Sequence, residues 1–262
     1  MRRRAFTSLG AFSLAAVLAG CAKSAEPGHP VPSGPMETPA ARLPESSPTG
    51  LAVSSDYGWF EANDELTEGF CFTWIAGLTP EQVVQRLGGR RLRTTGWRAE
   101  WESFPGRRGG ETVMAVAGMP GWSLVVEDIG VLALRDDLLE RLSARTTVVT
   151  HSRNVELDSR FAVIKNGRLQ VAFDPYDPGD RTGSRPDALL ADMRAAGFTP
   201  DDQDSDNADA TETAFALTER LTGVPMTAAS LHSASYLVTA VYDAGTAAWE
   251  RENPNPGLQP AN

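Results

Sequence analysis

Between residues 55 and 251 the apolar positions fall in short runs, and their spacing predicts strands first and helices later. Strands are expected at 70–75, 112–117, 122–127, 146–150, 161–164 and 169–173, each run rich in β-branched or aromatic residues. The last two flank Asn166-Gly167, a dipeptide that readily supplies the two positive φ angles of a tight hairpin. Residues 118–121 supply the turn between the second and third. A first helix opens at Thr79-Pro80-Glu81-Gln82, with Thr79 as N-cap, proline at the first helical position and glutamine at the third. It carries Val83, Val84 and Leu87 on one side and stops at Gly88-Gly89. Further helices are predicted at 134–144, with Leu138, Leu139 and Leu142 inward, at 186–196 before Gly197, and at 212–221 before Gly223. A last one at 228–242 follows Thr227 as N-cap, with Leu231, Ala234, Val238 and Val241 on one face. Antiparallel strands followed by gathered helices predict an α+β fold: a single domain whose mainly antiparallel sheet is covered by helices.

The flanks have no such pattern. Seven prolines fall between Pro27 and Pro48 with hardly any large apolar residue among them. Such a segment cannot bury a core, so 21–54 reads as a disordered tether and 252–262 as a disordered tail. Before the tether stand Arg2, Arg3 and Arg4 and an apolar stretch at 11–19, shorter than the roughly 20 residues a membrane span needs. Leu18-Ala19-Gly20-Cys21 closes it. Basic residues, a short apolar run and small residues before a cysteine form a bacterial lipoprotein signal over 1–20. Cleavage before Cys21 would leave that residue lipidated, with the domain anchored on the extracytoplasmic face of the cell membrane. Arg3-Arg4-Ala5-Phe6 also fits twin-arginine export, and the general secretory route fits equally well.

Within the domain three stretches stand out: Gly69-Phe70-Cys71-Phe72 leading to Gly77-Leu78-Thr79-Pro80-Glu81, Gly121-Trp122 through Glu127-Asp128-Ile129-Gly130, and Ala216-Leu217-Thr218-Glu219-Arg220-Leu221-Thr222-Gly223 followed by Thr227. Their order resembles a bacterial domain family of unknown function, the one numbered 6461, over residues 57–242. The resemblance implies no activity and no site residues. The lipoprotein signal and the tether stand outside the shared pattern.

Charge narrows the choice of partners. Three of the 24 basic residues lie in the signal, which leaves 21 against 34 acids, a balance of −13. An acidic surface of that size argues against nucleic acid. Once Cys21 is lipidated, Cys71 is a lone thiol among Phe70, Phe72 and Trp74, expected to be buried and inert. The acidic run Asp201, Asp202, Asp204, Asp206, Asp209 and Glu212 matches no register of a twelve-residue calcium loop. It reads as a solvated loop with Asp209 and Glu212 as a capping pair, and no metal or cofactor is predicted.

Against this background Arg90, Arg91, Arg93, Arg98, Arg107 and Arg108 crowd one segment, with Trp97, Trp101 and Phe104 at helical spacing among them. Arg90, Arg91, Arg93, Trp97, Arg98 and Trp101 are the candidate surface for a polyanion or partner, against the plainer reading that the rings pack on the core while the arginines reach water. His151 and His232 are the only histidines of the domain, and neither sits in a metal or nucleophile motif. His151 could meet Glu127 or Asp174 in space. The leading expectation is therefore a membrane-anchored lipoprotein displaying a non-catalytic binding domain for an envelope or protein partner. The alternatives are an envelope-associated hydrolase using carboxylates and His151, and a solute-capturing lipoprotein of a transporter.

Overall fold

Alternation along Phe70–Ala76 divides the molecule into two cores. Phe70, Phe72 and Trp74 point to one side, and Cys71, Thr73 and Ile75 to the other; all six are buried. The computed structural model describes residues 52–62, 66, 69–97, 110–127, 132–202 and 208–242. Among the described residues nine strands form one sheet: β1 (Phe70–Ala76), β2 (Arg90–Thr95), β3 (Glu111–Met119), β4 (Trp122–Glu127), β5 (Thr147–Arg153), β6 (Ser159–Lys165), β7 (Arg168–Asp174), β8 (Asp177–Thr182) and β9 (Tyr236–Tyr242). Their order is β2-β9-β3-β4-β1-β5-β6-β7-β8, and every neighbouring pair is antiparallel. Helices α1 (Pro80–Leu87), α2 (Asp136–Leu142), α3 (Leu190–Ala196), α4 (Ala210–Thr222) and α5 (Ala228–Ser233) complete the expected α+β fold.

On the aromatic face Phe70, Phe72, Trp74, Phe161 and Phe173 lie under α3 and α4. Phe215 of α4 sits within 4.9–6.4 Å, centroid to centroid, of Phe60, Phe70, Phe72 and Trp74. The opposite face is aliphatic: Ile75, Val148 and Ile164 meet Val83, Val84 and Leu87 of α1 and Leu138, Leu139 and Leu142 of α2. Because helices cover both faces, the central strands are buried on both sides and read as continuous apolar runs.

Local chemistry sets the element ends. Thr79 accepts from the Gln82 N–H while the Gln82 side chain accepts from the Thr79 N–H, so the expected capping box is formed. Gly88 then ends α1 in the left-handed conformation at φ 68°. Asn166 and Gly167 have φ 52° and 74°, the turn expected from their sequence.

Other expectations are corrected. The single helix expected over 228–242 is α5 followed by β9. Tyr236-Leu237-Val238-Thr239-Ala240-Val241 is a β-favouring run buried on both faces between β2 and β3, and such a run contains a helical apolar spacing by coincidence. Residues 186–189 form turns before α3, and β2 and β8 are strands with no clear apolar alternation. Asp209 occupies the N-cap position of α4 but its side chain makes no capping bond. The signal, tether and tail lie outside the described residues.

Candidate functional site

The predicted histidine site is not assembled. His151 lies inside β5, not beyond it, and is fully buried against Phe70 and Phe215 at 4.9 and 4.8 Å between ring centroids. Neither ring nitrogen has a hydrogen-bond partner among the described residues. Burial, followed by the nearby Arg153 charge, lowers its pKa to about 3, so the ring is neutral at pH 7. Strand register explains why Glu127 does not reach it. His151 pairs with Phe72, whereas Glu127 pairs with Cys71 and so projects from the opposite face. Asp174, at the end of β7, instead accepts from the Tyr176 N–H at 2.9 Å. Arg153, on the His151 side, bonds the Thr211 hydroxyl at 3.0 Å and Glu61 at 3.4 Å, joining β5 to α4 and the entering chain. Cys71 is buried on the far face, where burial and then the charge of Glu127 push its thiol pKa up.

The basic and aromatic residues of the β2 region are divided among several roles. Arg90 forms a two-pronged ion pair with Glu111, at 2.7 and 3.3 Å. Arg91 and Arg93 are exposed on either side of a bulge in β2, a terminal strand among the described residues. Trp97 follows in a bend and packs on His232 and Tyr236, at 5.6 and 5.8 Å. Arg98 and Trp101 lie outside the described residues, as does Cys21.

A different basic site is formed where strands meet. Lys165 and Arg168 stand directly opposite each other at the end of the β6–β7 hairpin. Like charges so placed are locally unfavourable, by roughly 0.2–1 kcal/mol. Arg185 joins them because the Ser184 N–H donates to the Leu169 carbonyl and the Arg185 N–H to the Gln170 carbonyl, at 3.1 and 2.9 Å. This return of the chain needs glycine at 183: it has φ 115°, and an added Cβ would run into the Gln170 backbone. Lys165, Asn166, Arg168, Gln170, Ser184 and Arg185 then line an open cleft of about 440 Å³. Among the described residues its lining contains no acid, and none of its three cations has an ion pair. Glu140 and Asp136 line a separate depression with Gly167, Leu139, Ile164 and Leu169.

Sequence reasoning missed this site. Lys165 and Arg168 flank a legible turn, but only the β7–β8 pairing brings Arg185 to them. Among the described residues no three His, Cys, Asp or Glu side chains gather to hold a metal ion, and no helix is long and apolar enough to cross a membrane.

With sheet, helices and cleft in view, the class is an α+β domain built on one antiparallel sheet. The chain belongs to the Family of unknown function (DUF6461), whose pattern covers residues 50–246. No curated protein and no solved structure matches it.

Proposed function

We propose that this chain is a lipoprotein, anchored through Cys21 on the extracytoplasmic face of the cell membrane, whose domain is a non-catalytic binding module for an envelope component or protein partner. The observation that carries the binding reading is the cleft of Lys165, Arg168 and Arg185: three cations with no ion pair among the described residues, gathered at one place on a chain of net charge −10. A fold that holds like charges together without a counter-charge gives up local stability, a pattern typical of functional sites. The occupant is therefore anionic on the side that meets the cleft. The signal ending at Cys21 supports the anchor.

The test is in-cell cross-linking, followed by purification of the full chain from membranes beside a Cys21→Ala control and mass spectrometry of what travels with each. The expected result is an acidic or phosphorylated partner enriched with the native chain and lost with the control. Identical fractionation and capture by both chains would refute the anchored reading.

A further inference from the structure

We propose that the cleft takes a sugar or polyol phosphate, with the phosphate held by Lys165, Arg168 and Arg185 and neighbouring hydroxyls donating to Gln170 and Ser184. The proposal rests on the cleft being the domain's binding surface and names the chemistry of the ligand. Three cations converging on one opening suit a phosphate better than a single carboxylate, and guanidinium groups match its oxygens in pairs. The remaining lining distinguishes a bare phosphate from one that carries hydroxyls.

The Ser184 hydroxyl already donates to the Leu169 carbonyl at 2.8 Å, so toward the cleft its oxygen is an acceptor. The Gln170 side-chain nitrogen donates to the Arg168 carbonyl at 2.9 Å, which fixes the amide and leaves Oε1 as a second acceptor. A fully ionised phosphate has only acceptors and cannot donate to either oxygen, whereas two neighbouring hydroxyls can donate one to each. Asn166, exposed in the turn, offers an amide able to donate and accept. The backbone under these groups is held in place by the two-residue turn and by the bonds of Ser184 and Arg185 to the Leu169 and Gln170 carbonyls. The cleft volume of about 440 Å³ falls within the roughly 300–1,000 Å³ of small-ligand sites.

The same chemistry occurs in a soluble sugar phosphate and in a glycerol-bearing phospholipid headgroup, and the experiment separates them. The full chain carrying Cys21→Ala is titrated calorimetrically with glucose 6-phosphate and with inorganic phosphate, then mixed with phosphatidylcholine vesicles with and without phosphatidylglycerol. Glucose 6-phosphate is expected to bind at least tenfold more tightly than inorganic phosphate. Gln170→Leu with Ser184→Ala is expected to erase that difference, and Arg168→Glu with Arg185→Glu to abolish both. On the unmutated residues of the cleft, amide NMR shifts at 165–170 and 184–185 upon adding glucose 6-phosphate report the site independently of any variant's folding. Phosphatidylglycerol-dependent vesicle binding that glucose 6-phosphate displaces assigns the ligand to the headgroup. Tenfold-preferred glucose 6-phosphate binding without vesicle binding assigns it to a soluble or polymeric source. Equal affinity for the two phosphates, shifts elsewhere on the domain, or no binding of any probe overturns the proposal. Partner capture that depends on the three cations would still leave the broader binding function standing.

Discussion

At the residue scale, His151 shows how surroundings can remove the chemistry that a residue type suggests. Its neighbours on the aromatic face are Phe70, Phe161 and Phe215, with Arg153 along its own strand. Burial first, and then the cation beside it, oppose protonation of the imidazole, so the ring stays neutral near pH 7. The linkage has a definite sign. Unfolded, His151 titrates near 6.5; folded, near 3, so between these values only the unfolded chain takes up the proton. Stability attributable to this residue is therefore intact above pH 6.5 and falls by about 1.4 kcal/mol per pH unit as the pH drops toward 3. Burial raises the carboxyl pKa of Glu212 and of Asp174, which contributes the opposite slope, so the comparison must be between variants. His151→Leu should gain stability relative to the native chain as the pH is lowered from 7.5 to 4.5. Urea midpoints measured across that range give the answer, and parallel curves would show that His151 is not held neutral.

At the element scale, helix ends and turns were the most legible features, because their chemistry is local. The Thr79–Gln82 capping box and the Asn166-Gly167 hairpin each depend on a few adjacent residues, and both formed as their sequences require. Thr79→Ala should destabilise the domain by about 1 kcal/mol by leaving an N-terminal N–H of α1 without its acceptor, and thermal unfolding will register it. Unchanged stability would mean that α1 is held by Val83, Val84 and Leu87 alone. The failures were non-local. Residues 236–242 are β-favouring but also carry a helical apolar spacing, and they form a strand because β2 and β3 receive them. The same limit hid β8, whose sequence Asp-Pro-Gly-Asp-Arg-Thr has no apolar alternation and is fixed by its pairing with β7.

At the scale of the whole molecule, charge and topology carry the proposed function. Within the cluster of arginines apparent in the sequence, Arg90 is engaged with Glu111, Arg91 and Arg93 are exposed and Trp97 is packed against the core, while Arg98, Arg107 and Arg108 lie outside the described residues. The cleft that replaces it as the leading site combines residues from one hairpin with a segment that returns beside it, so its three cations were visible one at a time but never as a group. Near an anionic surface or ligand each such cation contributes roughly 1 kcal/mol, so removing three should weaken capture by about 3 kcal/mol, on the order of a hundredfold. The effect should shrink as salt screens these exposed charges. The measurement that tests the central claim most directly is cross-linked capture from membranes by the native chain and by Lys165→Glu/Arg168→Glu/Arg185→Glu, with thermal unfolding to establish that both are folded. A binding module working through this cleft predicts a partner lost from the folded triple variant. Undiminished capture by that variant would contradict it.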